Sequence, residues 1–338
     1  MAPRRGGGGS GFSIDTPSCS SDAFENEAAR VYISFDALYF IVSVALFIIM
    51  TKRSSHSKRQ GHLLAGRVPL RLSIIFAILA YIANIIIRVV SQCLYGGGIY
   101  DELFQSELVP IWLSSLSEYI LNVVIMITIC KKLQHDFAPL LKLIVLFQSL
   151  YIGIVGVVLV ASLAIDTATR RAAVPEDYDY ALIEKLRDPG RGLWTTYTTL
   201  SLFGIIIACL TMIRATASAP QNLRTKASQP FLTAWVGVLA ICALAFNATV
   251  LGGYTNGAFV DPYSITRSKA EYLEKSAEAV YFLAAFFYSV TFYAALQVLR
   301  YIQAAVTQST AVPVAEPYYH AQVAAPQSNP VPAAGPYY

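Results

Sequence analysis

Seven long apolar runs, near 31–51, 69–94, 108–130, 139–165, 193–213, 230–251 and 277–299, decide most of what this chain can become. Each is long enough to cross about 30 Å of hydrocarbon as a helix, which takes roughly 20 residues. Backbone groups in lipid have no water to bond, so only helices and closed barrels span, and these runs are far too long for barrel strands. Composition agrees: only 14% of the residues are charged, against about 25% in ordinary soluble domains. The expected fold class is all-α, a polytopic membrane bundle of about seven transmembrane helices. Its first expected partner is the lipid bilayer, and the runs leave no room for a large soluble domain.

Residues 1–30 are polar and Gly-rich and read as a flexible arm on the outer side. They hold no apolar core of a cleavable signal, so the first span is expected to direct its own insertion. Residues 31–300 form the seven-helix domain. Residues 301–338 form a Pro/Ala/Tyr-rich tail, too poor in large aliphatic side chains to build a core. The tail holds Pro317-Tyr318-Tyr319 and Pro336-Tyr337-Tyr338, a repeat read either as a docking or modification site or as compositional bias.

Lys and Arg in short loops mark the cytosolic side. The first loop carries Lys52, Arg53, Lys58, Arg59, Arg67 and Arg71 without an acid, and the second carries Asp101, Glu102 and Glu107 without a base. The third has Lys131, Lys132 and Lys142 against Asp136, and the fifth has Arg214, Arg224 and Lys226. The fourth and sixth are mixed in sign. The pattern predicts an outside N-terminus and a cytosolic C-terminus. Basic loops this short and tied to spans exclude nucleic acid as a partner. Plasma membrane and endomembrane stay equally open, because runs of 21–27 residues with unknown tilt suit either.

Pro110, Pro139 and Pro230 stand at span starts, where proline fits the first helical turn. No proline is expected inside a span. Ser268-Lys269-Ala270-Glu271 has the form of a capping box, which starts the seventh helix near 269. The stretches 166–192 and 252–276 read as outer loops long enough for a lid, with a short surface helix between Asp177 and Asp188.

Ionisable groups in the bilayer are costly and ask for partners. Asp36, Arg88 and Glu118 lie in the first three spans, in the outer half to the middle. Each belongs to a polar stripe at helical spacing: Tyr32, Asp36, Tyr39 and Ser43; Tyr81, Asn84, Arg88 and Gln92; Ser115, Glu118 and Asn122. The economical reading turns the stripes toward one another, with Arg88 bonded to Asp36, Glu118 or both by charge-assisted hydrogen bonds. Asp36, Asn84, Arg88, Glu118, Asn122 and Tyr288 are thus the candidate residues, either of a ligand site or of a clasp that fixes helix register. Tyr281, Glu278, Tyr197 and Thr195 are further candidates for an aromatic wall; Tyr281 is the better fit to an interfacial anchor.

Cys19 and Cys93 fall on the oxidising side by this topology and form a possible disulfide. Cys130 and Cys209 fall near cytosolic span ends, where palmitoylation is an option, and Cys242 reads as core. Asn247-Ala248-Thr249 matches a glycosylation sequon but lies inside the sixth span and is expected to stay unused. His56, His62, His135 and His320 all lie in cytosolic loops or tail, away from the acids, so no intramembrane metal site is expected. There is no phosphate-binding Gly loop, no Gly-x-Ser-x-Gly and no Cys-x-x-Cys. No cofactor is implied and no feature favours an enzyme.

Seven spans with an outside N-terminus resemble the G-protein-coupled receptor layout over roughly residues 31–300. The Gly-rich start and Pro/Ala/Tyr-rich tail are similar to uncharacterised seven-helix integral membrane proteins of filamentous fungi. The third helix ends in Cys130-Lys131-Lys132 where rhodopsin-type receptors carry an acid-Arg-aromatic triplet. The seventh reads Tyr288-Ser289-Val290-Thr291-Phe292-Tyr293 where they carry Asn-Pro-x-x-Tyr. Lys275 lies above the membrane, so no retinal Schiff base is available. The layout implies a receptor-like protein sensing a small ligand from the outer side, with a cytosolic signalling partner at loops 51–68 and 214–229 and at the tail. The alternative is a transporter or lipid exporter built on the same polar cluster; a scaffold presenting its tail is the third reading.

Overall fold

The structure is a computed structural model that describes residues 24, 25, 27–55, 67–93, 106–137, 142–173, 179–217, 229–258 and 267–310. Seven helices in it are long and apolar enough to cross a membrane, and among the described residues there is no strand. The protein is a polytopic membrane bundle. Its helices are α1 (Glu27–Ser55), α2 (Arg67–Cys93), α3, α4 (Lys142–Ala172), α5 (Tyr180–Ala217), α6 (Gln229–Ala258) and α7 (Arg267–Thr310). Helix α3 has three successive parts: Leu108–Val123, a π-helical segment Val124–Ile129, and Cys130–Phe137. The end of the bundle where α1 starts is called the amino end below, and the opposite one the carboxyl end.

Sequence neighbours pack side by side, α7 closes the ring against α1, and α3 runs through the middle against α2, α4, α5 and α7. Large aliphatic side chains face outward: Val157, Ile241 and Leu146 are 70%, 69% and 68% exposed, as a lipid-facing wall requires. With lipid outside as apolar as the helices, association rests on close van der Waals packing and hydrogen bonds, which favours small residues at crossings. Gly253 of α6 is such a residue, since a Cβ there would overlap Val280 of α7. Ala240 and Ala243 of α6 and Ala294 and Ala295 of α7 are also buried. Toward the carboxyl end the core is densely apolar, with Leu70, Ile74, Val124, Ile125, Ile129, Leu133 and Phe292 fully buried. The π-helical turn of α3 lies inside this core, and such turns occur mostly as single insertions in α-helices.

Several sequence expectations are corrected. The stretches 166–192 and 252–276 are mostly helix, because α4 continues to Ala172, α5 starts at Tyr180, α6 continues to Ala258 and α7 starts at Arg267. Of the stretch read as a short surface helix, Tyr180 to Asp188 form the first turns of α5, which contains Pro189; 177 and 178 lie outside the described residues. That proline precedes the apolar run, where water can serve the carbonyl it leaves unbonded. Pro110 and Pro230 lie in first turns as expected; Pro139 lies outside the described residues. The seventh helix starts one residue before Ser268, so that serine is within it. Helix α1 starts at Glu27, inside the segment read as arm, and α7 runs beyond 300 to Thr310. The Pro-Tyr-Tyr repeats lie outside the described residues.

Candidate functional site

The first polar stripe faces α2 and α7. Asp36 is completely buried and sits 3.2 Å from the Nε of Arg88, through Oδ2. Neither of those two atoms has hydrogen-bond geometry, so the pair is held by charge rather than by the charge-assisted hydrogen bond that the sequence suggested. The other oxygen, Oδ1, accepts a short hydrogen bond from the Tyr281 hydroxyl of α7. The Arg88 guanidinium lies 4.4 Å above the Tyr32 ring, a cation–π contact, and Tyr32 in turn meets Tyr281 edge-on at 5.5 Å. One turn further on, Tyr39 donates to the Phe282 carbonyl at 3.1 Å and stacks on Tyr81 at 6.3 Å. One carboxylate therefore ties α1 to α2 and to α7 at once.

Beside this clasp is a cavity of about 150 Å³ between α2, α3, α6 and α7. An apolar cavity of that size holds benzene. Tyr81 and Asn84 line it from α2, Ser114 and Glu118 from α3, Phe246 from α6, and Tyr281 and Tyr288 from α7. Its other walls include Ala77, Ala80, Ala284 and Ala285, whose small side chains leave the space open. Tyr281 is shared: its hydroxyl bonds Asp36 and its side chain lines the cavity. This corrects its reading as an interfacial anchor.

Tyr288 is held from below. Ser73 Oγ donates to the Ser117 carbonyl at 2.9 Å, and Ser117 Oγ donates to the Ser73 carbonyl at 2.8 Å. Both serine protons are thus committed to backbone, and the Tyr288 hydroxyl, 2.6 Å from Ser117 Oγ and 2.9 Å from Ser73 Oγ, is left as the donor. This knot joins α2, α3 and α7 at the cavity floor. Glu118 is different. Among the described residues no hydrogen bond and no ion pair reaches it, and Arg88 is engaged with Asp36. Of the pairings open to Arg88 in the sequence, Asp36, Glu118 or both, the structure takes Asp36.

The six candidates divide into three groups. Asp36 and Arg88 form the clasp; Asn84, Glu118 and Tyr288 line the cavity; Asn122 does neither. Asn122 Nδ2 donates to Asn247 Oδ1 at 3.4 Å, and Asn247 Nδ2 donates to the Ala243 carbonyl at 2.9 Å. The sequon asparagine is thus buried in an α3–α6 contact. Tyr197 is also buried, in a cluster with Val155, Leu159 and Leu163, and does not line the cavity. Thr195 belongs to a separate shallow groove with Asp188 and Arg191. Cys93 is disulfide-bonded; Cys19 lies outside the described residues. Cys130 and Cys209 are buried, each Sγ 3.7 Å from a backbone carbonyl of the neighbouring helix, so this packing offers neither to an acyl chain. Sequence reading did not find Ser73, Ser117, Phe246 or the bond from Asn247. The signal for Ser73 was present: it lies two helical repeats before Tyr81, on the stripe that continues to Asn84 and Arg88. Among the described residues no group of three or more potential metal ligands occurs.

No family model, curated protein or solved structure matches this chain.

Proposed function

We propose that the chain is a receptor-like membrane protein that senses a small ligand from the outer side, with its N-terminus outside and its C-terminus in the cytosol. The observation that carries the reading is the cavity itself: Asn84, Glu118 and Tyr288 converge on it, and it touches the Asp36–Arg88 clasp through Tyr281. A ligand biases a bundle only if it binds two packings with different affinity. Tyr281 supplies the route for such a difference, because moving its side chain changes both the cavity wall and the bond to Asp36. The π-helical segment Val124–Ile129 follows directly below Asn122 in the same helix as Glu118, and turns of this kind are frequent at functional sites. The basic loops at 51–68 and 214–229 and the tail 301–338 are the surfaces assigned to a cytosolic signalling partner. No catalytic step is assigned to the cavity.

One observation favours a second reading. An acid without a protein partner is also what a carrier uses to bind and release a proton or substrate, so a transporter remains the alternative. Reconstituted full-length protein separates the two. Compounds from a small-molecule library are ranked by thermal shift, and hits are assayed for flux into vesicles. A saturating ligand stabilises its site by about 2.7 kcal/mol at a hundred times its Kd. A hit that stabilises without crossing, and that fails with Asn84→Ala at the cavity wall, supports the receptor. A hit that accumulates in vesicles makes the protein a transporter.

A further inference from the structure

Among the lining residues of the cavity the one acidic or basic side chain is Glu118. The cation nearest in the candidate set, Arg88, is held by Asp36 and the Tyr32 ring instead. Around the carboxylate stand four aromatic side chains, Tyr81, Phe246, Tyr281 and Tyr288, with alanines, Asn84, Ser114 and Ser117 making up the rest. A carboxylate set among aromatic and apolar groups and without a protein partner is costly to keep charged. The ligand that relieves the cost brings the opposite charge. Aromatic faces attract a cation through the ring quadrupole and are the recurrent means of recognising quaternary ammonium groups. An anion would meet the carboxylate at close range, and a neutral molecule would leave its balance to a proton.

From this we infer that the cavity binds a small alkylammonium ion, with Glu118 as the counter-charge and the tyrosine and phenylalanine side chains around its methyl or methylene groups. This rests on the reading of the cavity as a ligand site. A cavity of about 150 Å³ restricts the ion to the scale of one small aromatic ring.

The test uses the full chain in lipid nanodiscs and three probes: choline chloride, its uncharged isostere 3,3-dimethylbutan-1-ol, and sodium chloride at equal ionic strength. Choline is expected to raise the unfolding temperature above the sodium chloride control, and the isostere to do so less. In Glu118→Gln the apparent affinity for choline falls by about tenfold or more, the loss of one ion-pair contribution of roughly a pKa unit in size. As a readout in the unmutated chain, choline slows labelling of Glu118 by dicyclohexylcarbodiimide, followed by mass spectrometry of the Glu118 peptide, while the isostere does not. If the isostere stabilises as well as choline, in both wild type and Glu118→Gln, the cavity is a ligand site without preference for cations and this inference falls alone. Stabilisation by sodium chloride equal to that by choline also overturns it. If neither choline nor the isostere shifts the unfolding temperature or protects Glu118 while a library compound does, this inference falls alone; if no library compound does either, the ligand-site reading falls with it.

Discussion

Asp36 and Glu118 are two acids inside one bundle, and the fold treats them differently. The α1 acid has no exposed surface, an arginine beside one oxygen and a tyrosine hydroxyl on the other. The α3 acid faces a cavity and has no partner among the described residues. Intramembrane charge is expensive in both places. In the first, the cost is offset within the protein, and the offset joins three helices. In the second it is left standing, and what can offset it must come from elsewhere: a ligand, water or a proton. The comparison separates structure from function on one physical criterion, since a group whose partners are all internal serves the fold, and an equally costly group without them is free to serve something else.

The largest effect that can break the comparison is loss of Arg88. Arg88→Ala leaves the buried Asp36 carboxylate without its cation, a change that costs about 3–5 kcal/mol when one partner of a buried pair is removed. The expected result is a large fall in unfolding free energy by SDS titration in mixed micelles, or loss of folded yield. Asp36→Asn combined with Arg88→Ala recovers part of the loss, because no charge is then orphaned. Wild-type stability in the single variant would mean that the clasp is not structural and that Arg88 is available to the cavity. Next in size is Tyr281→Phe, which keeps the ring and removes the donor to Asp36. Hydrogen bonds to charged groups contribute roughly 1.5–3 kcal/mol, so a loss near 2 kcal/mol is expected in the same titration. Tyr288→Phe removes a neutral donor from the serine knot, and the expected loss is about 1 kcal/mol. A Tyr288 effect larger than that of Tyr281 would place the main tie of α7 at the cavity floor instead of at the clasp.

The spans were legible because membrane burial is a strong, local rule: twenty apolar residues in a row have few other uses. Helix ends were less so. Nothing in residues 180–188 says that they join α5, since beyond the bilayer water serves carbonyl groups in helix and loop alike. The clasp was half legible. Stripes at helical spacing assign Asp36, Arg88 and Glu118 to faces, but a face is not a distance. Whether Arg88 reaches one acid or two depends on the tilt and rotation of α3 against α2, which is set by packing such as the reciprocal Ser73–Ser117 bonds. Tyr281 was misread because a tyrosine near a span end satisfies two rules equally, interfacial anchoring and internal bonding. The bond from Asn122 to Asn247 was not legible for a related reason: the sequon is read in its local context, while the two asparagines are far apart in sequence.

Glu118→Gln is the smallest expected effect and the sharpest test of the contrast. The substitution is isosteric and removes the charge. Were Glu118 part of an internal network, the loss would resemble that of Arg88→Ala. With no partner to orphan, the amide costs nothing in broken bonds and lowers the price of burial, so unfolding free energy is expected to stay within about 1 kcal/mol of wild type or to rise. The matched variant Asp36→Asn supplies the internal control, because it weakens the ion pair with Arg88 and alters the bond with Tyr281, and it is expected to be clearly destabilised. Equal losses in the two variants would erase the distinction between them and return Glu118 to the fold. A stable Glu118→Gln beside an unstable Asp36→Asn assigns one acid to holding the helices and leaves the other for the ligand.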